Sequence, residues 1–310
     1  MSISHFSGLD SLRFYAVFLV IFAHSFQIWT WQEQTLTLLP IGNLGVMIFF
    51  VLSGFLITRI LISQPKEPIR PQLKTFYIRR ALRIFPIYYL YLGMVFAFNL
   101  DNIQQAGILP WVYLTLKENP RSLQRLMVAT LSIAILARGY LYAKGFSPTT
   151  QIEVFTLTNL DGLALGGLLA LQFQQQAKTL IQKALPMIFT GLLGYYLLAW
   201  VHLHLEWHLL YLTLGKFLVV IFSAGLILLA LNNPSPSLLH NRFTQHLGKI
   251  SYGLYLYHNL IVSHAHEILN FLKLPLSPIH KLMMPILITL MIAQVSYSLI
   301  EKPFLKLKPQ

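Results

Sequence analysis

Apolar residues recur along the whole chain, and polar residues gather in short stretches between them. Ten apolar segments can be drawn, at roughly 12–29, 44–62, 83–100, 103–116, 126–142, 157–172, 185–201, 209–231, 250–270 and 282–300. Most approach the ~20 residues that a helix needs to cross a bilayer. The fourth and sixth are short for a span, which suits a tilted, broken or re-entrant helix. The pattern predicts an all-α, polytopic transmembrane helical bundle of about ten helices. No basic stretch precedes the first run and no clear small-residue cleavage site follows it. Leu12 onward is therefore read as a retained helix.

Composition agrees with that reading. Of 310 residues, 55% are hydrophobic and 11% charged, where soluble domains carry about 25% charged residues. The formal charge of +13 would suit nucleic acid if it formed a patch. Here the basic residues sit mostly between apolar runs, so membrane orientation explains them and no nucleic acid is implied. With the N-terminus inside, the outer loops hold only Arg138, Lys144, Lys273 and Lys281, and most remaining Lys and Arg fall in inner loops. This predicts cytoplasmic termini. The absence of cysteine excludes disulfides, iron–sulfur clusters and thiol catalysis.

The chemistry begins in Gly8–Ser25, GLDSLRFYAVFLVIFAHS. Arg13 and His24 are eleven residues apart, which in a helix places both on one side, separated by about 16 Å along the axis. No charge lies between them. An imidazole inside a membrane span must face other helices or a wet cavity. Function and interhelical packing both fit His24 at this point. In the second segment Ser53-Gly54 permits close helix approach. The following loop carries Pro65, Pro68 and Pro71, then FYIRRALRIFPIYYL, where Arg80 and Arg83 share a helical face and Pro86 kinks or breaks the helix start. Guanidinium forks at a membrane surface suit phosphate; a plain orientation signal or anionic lipid fits them too.

Further on, Asp161 lies inside an apolar segment and needs a partner, with Asn159 and Lys216 as candidates. Gly162, Gly166 and Gly167 offer a small-residue packing face. The turn HLHLEWH (His202, His204, Glu206, His208) lacks the spacing of a zinc protease and reads as a wet interfacial turn, so no metal is expected. Ser251, Tyr255 and His258 fall on one helical face, as a pocket wall for a sugar or pantetheine-like ligand, or as an aromatic belt. The last segment ends SLIEKPFLKLK, a helix closed by Pro303.

In this order, GLDSLRFYAVFLVIFAH, FFVLSGFLIT, FYIRRALRIFPIYYL, LDGLALGGLLAL, GKISYGLYLYH and the closing EKPF resemble the acyltransferase-3 family of multi-spanning membrane acyltransferases. The resemblance covers 6–98 closely and 157–305 moderately. It implies transfer of an acyl group, commonly acetyl from acetyl-CoA, to a hydroxyl of a cell-envelope carbohydrate or lipid-linked glycan. The family's first-helix arginine and histidine match Arg13 and His24, its R-x-x-R pair matches Arg80 and Arg83, and its S-G-F matches Ser53, Gly54 and Phe55. Two departures stand out. The block W-S-L-x-x-E-x-x-F-Y is missing from a region shortened near 99–126, where Glu118 is no convincing substitute. Asn159 stands where an arginine is expected two residues before Asp161.

These readings combine into one expectation. The chain is a single membrane acyltransferase domain, 1–310, in a bacterial inner membrane, with lipid around it and acyl-CoA as donor substrate. His24 is the general base and Arg13 its catalytic companion. Arg80 and Arg83 hold CoA phosphates beside Ser53, and Ser251, Tyr255, His258 and Asp161 line the acceptor site. An inactive relative serving as a membrane scaffold and a transporter are the alternatives.

Overall fold

The computed structural model describes residues 6–29, 41–62, 69–97, 120–147, 151–152, 155–205, 207–232, 239, 241–273 and 277–307. The apolar run at 103–116, Glu118 and Glu206 lie outside them. The described residues are helical almost throughout. In chain order the helices are α1 (Ser7–Trp29), α2 (Ile41–Ile62), α3 (Ile69–Ala97), α4 (Pro120–Ala143), α5 (Leu160–Ile181), α6 (Ala184–Leu205) and α7 (His208–Leu231). There follow α8 (Arg242–Lys249), α9 (Ser251–Ser263), α10 (Ala265–Phe271), α11 (Pro278–Ser296) and α12 (Lys302–Lys306). Among the described residues, six stretches are long and apolar enough to cross a membrane: Ser7–Phe26, Ile41–Ile60, Arg121–Ala143, Ala184–Leu205, His208–Leu231 and Ile279–Lys306. Large apolar side chains stand exposed on them, among them Leu136 on α4, Phe189 and Leu193 on α6, and Met291 on α11. In hydrocarbon such faces are at home, and the protein is an integral membrane protein.

Three differences from the sequence expectation bear on the polar residues. The third helix starts at Ile69, not near 83, so Arg79, Arg80 and Arg83 ride on it. Pro71 falls in its first turn, where a missing N–H costs nothing, and Pro86 lies in the interior, where it deprives the Leu82 carbonyl of its helical donor. At the other end, Pro303 does not close the last helix. A π-helical turn, Tyr297–Glu301, carries α11 directly into α12 with Pro303 near its start. Finally, α4 runs to Ala143, so Arg138 belongs inside a span and not to an outer loop. Gly145 ends that helix with φ +84°; the Phe146 N–H donates to Leu141 and the Gly145 N–H to Tyr142, a glycine stop of the usual left-handed kind.

The chain divides into two compact units. The first takes Met1–Leu12, Val46–Pro65 and Gly107–Asn241. In it α6 packs on α7, α4 on α5, and α5 on α7. Leu123, Met127, Ala164 and Leu171 form a buried cluster, with Ile62, Leu131 and Leu168 against it. The expected small-residue face is real. A Cβ on Gly54 would run into the Leu163 carbonyl oxygen, and one on Gly166 into that of Val51. Helices α2 and α5 thus meet backbone to backbone, which only glycine permits. Gly166→Val should lower the melting temperature of the detergent-solubilised protein by several degrees; an unchanged melting curve would show that the seam yields freely.

This unit buries an ion pair. The Arg138 guanidinium donates to Asp161 Oδ2 at 2.7 Å, with the two side chains 1% and 0% exposed. A second Arg138 nitrogen donates to the Thr158 carbonyl at 3.1 Å, and the Gly162 N–H donates to Asp161 Oδ1 at 3.0 Å. Asp161 needs a partner, as its burial requires. The partner is Arg138, neither of the two expected, because a guanidinium from the neighbouring helix reaches the carboxylate.

The second unit takes Arg13–Gly45, Lys66–Ala106 and Arg242–Gln310. Within it Gly45 lies against the backbone of Ala16 and Gly42 against Ala23, seating the start of α2 on α1. Helix α9 packs on α11, and α3 packs on α9, on the π turn and on α12. The Tyr257 hydroxyl and Ser296 Oγ, 2.8 Å apart, tie α9 to α11.

Candidate active site

The second unit gathers several of the residues marked in the sequence. His24 on α1 and His258 on α9 face each other, ring centroids 5.2 Å apart and planes tilted by 43°. His24 is half-buried, while His258 is 4% exposed. His258 Nδ1 lies 2.5 Å from the Tyr255 carbonyl oxygen. A carbonyl can only accept, so Nδ1 carries a proton, and in the neutral ring Nε2 then presents a bare lone pair. That Nε2 is buried and has no hydrogen-bond partner among the described residues. The Tyr255 ring sits 5.4 Å from His258 and is itself exposed. Ser251, one and a half to two turns away on α9, is buried.

A second cluster lies where α3 meets the C-terminal helices. Arg80 and Arg83 project from α3 close enough to repel one another, and both are half-buried. Glu301, in the π turn, is 1% exposed, and neither carboxylate oxygen has a hydrogen-bond partner among the described residues. The sequence reading passed over Glu301, although an acid inside an apolar segment was the signal that singled out Asp161.

Not every marked residue joins these clusters. Ser53 is half-buried on α2 in the first unit, as is the Arg138–Asp161 pair. Arg13 lies half-buried on α1, in the second unit. The HLHLEWH stretch ends α6 and begins α7 and is not the turn expected; His202 and His208 bring their Nδ1 atoms to 3.1 Å, while His204 turns away to the Trp200 carbonyl at 2.8 Å. Among the described residues no three ligand-type side chains come together as a metal site.

This geometry is one of imidazoles, arginines and an acid within a membrane helix bundle. Comparison with known proteins gives it a context. Residues 6–117 match the acyltransferase domain of the acyltransferase-3 family. Over that stretch the chain is similar to this family. It is 35% identical over 115 residues to the peptidoglycan O-acetyltransferase OatA of Listeria monocytogenes, a match covering 35% of this chain and 17% of that protein. It is 25% identical over 355 positions to the O-acetyltransferase OatA of Staphylococcus aureus, covering 96% of this chain and 57% of the relative. Proteins named putative O-acetyltransferase in several Staphylococcus aureus strains match at 24% over 361 positions, with the same coverage. The chain therefore spans little more than half the length of these staphylococcal relatives. Those alignments are longer than the 310 residues of the chain, so these staphylococcal proteins carry stretches that it lacks. No solved structure matches this chain.

Proposed function

We propose that this protein is a membrane O-acetyltransferase that moves acetyl from acetyl-CoA to a hydroxyl of a cell-envelope carbohydrate, such as peptidoglycan. The observation that carries the reading is the His24–His258 pair. A neutral imidazole within a membrane bundle is a competent general base. His24, the more accessible of the two, takes the proton of the acceptor hydroxyl as its oxygen attacks the thioester carbonyl. The C–S bond then breaks, and the CoA thiolate leaves and takes up a proton. The bare Nε2 of His258 accepts a hydrogen bond from an acceptor hydroxyl and holds the sugar against His24, with Ser251 and Tyr255 on the same helix. Arg13, Arg80 and Arg83 bind the donor from the cytoplasmic side, Arg13 and Arg80 through its phosphates. Asp161, its oxygens taken by Arg138 and Gly162, has a structural role in this reading.

A second reading is an inactive relative, favoured by the alignment lengths above and by the missing block near 99–126. Radiolabelled acetyl-CoA supplied to membranes bearing the chain separates the two. Label on an envelope glycan or on added peptidoglycan fragments, dependent on the intact chain, supports the enzyme. Absence of label with correctly folded protein supports the inactive relative.

A further inference from the structure

Glu301 is the least explained group in the second unit. Its carboxylate is almost fully buried, and both oxygens lack a hydrogen-bond partner among the described residues. Buried carboxylates are ordinarily hydrogen-bonded or paired. Three features surround it. Gly253 of α9 presents bare backbone, and a Cβ there would stand 3.4 Å from Glu301 Oε1. Arg83 rides on α3, which packs on the π turn, and Glu301 forms no hydrogen bond to it. The π turn, a feature often found at functional positions, carries Glu301 at its last residue.

An acceptor and a cation thus approach one another without closing. The group that satisfies both is neutral and two-sided: it donates to the carboxylate and accepts from the guanidinium. An amide does this, and amides lie along the arm of a CoA thioester between its phosphates and its sulfur. A phosphate does not, because the adjoining carboxylate repels it. We propose that Glu301 and Arg83 form a subsite for an amide of the donor's arm, which leaves phosphate recognition at this end of α3 to Arg80. The two arginines of the R-x-x-R pair then do different work. This proposal rests on the acetyl-CoA reading above.

The test is steady-state kinetics on the purified full chain in proteoliposomes, with three donors: acetyl-CoA, acetyl-dephospho-CoA and an acetyl thioester without amides. Peptidoglycan fragments serve as acceptor. Glu301→Gln should raise KM for acetyl-CoA about tenfold, as expected for a lost charge-assisted hydrogen bond, with kcat little altered. The same factor should appear with the dephospho donor and vanish with the amide-free thioester. Arg80→Gln should show the reverse, its penalty shrinking when the phosphate is removed. A wild-type KM in Glu301→Gln, a rise in the acceptor's KM instead, or a penalty that persists without amides would each overturn the subsite. If Glu301→Gln does not fold, Arg83→Gln reads the same contact from its other side. Failure of the wild-type chain to transfer label at all is a separate result and counts against the acetyltransferase reading itself.

Discussion

His24→Ala should abolish acetyl transfer, lowering kcat by about 10²–10⁴-fold, the range for loss of a positioned general base. KM for acetyl-CoA should change far less, because the donor's phosphates are held elsewhere. The side chain is half-buried and packs on one neighbouring ring, so the variant should elute from size exclusion as the wild type does. His258→Gln offers the sharper comparison. An amide at 258 can still present an acceptor or a donor, but it cannot reproduce an imidazole whose Nδ1 proton is fixed by the Tyr255 carbonyl. It should act mainly on the acceptor's KM. If His24→Ala kept half the wild-type turnover, His24 could not be the base, and the bare Nε2 of His258 would take its place as the candidate.

The second large effect concerns stability. Arg138→Met leaves Asp161 as a buried, uncompensated acid and should destabilise the protein by about 3–5 kcal/mol, as breaking a buried pair from one side does. Asp161→Asn should cost less, since an amide oxygen can still accept from the guanidinium. The double variant Arg138→Met/Asp161→Leu removes both charges and should recover much of the loss. Thermal unfolding in detergent of the two single variants and the double variant reads this directly. Purely additive losses would mean that the pair contributes nothing as a pair.

The helices themselves were legible because lipid demands long apolar runs, and α1, α2, α6 and α7 follow the expected segments to within a few residues. The start of α3 was not, since its first turns are basic and proline-bearing and read like a loop. Arg138 was misplaced for a related reason. Positive charge near the end of a run was sorted by membrane side, and that logic has no place for a cation turned inward. Its partner lies 23 residues away on another helix, a relation that no spacing rule contains. His24 and His258 could each be singled out as ionisable groups in apolar segments, yet their pairing is a product of tertiary packing. Glu301 was visible on the same grounds as Asp161 but was absorbed into the reading of a basic tail.

The seam between α2 and α5 also bears on how this sequence can change. Gly54 meets the Leu163 carbonyl and Gly166 meets that of Val51, so the two close approaches are separate, and neither glycine makes room for the other. Replacing one introduces a clash, and replacing the second adds another. No compensating partner lies across the contact, since each glycine faces main chain and not a side chain that could shrink. Drift can therefore remodel the lipid-facing sides of both helices freely while these two positions stay fixed, unless the helices part and the whole first unit is rebuilt around a wider spacing.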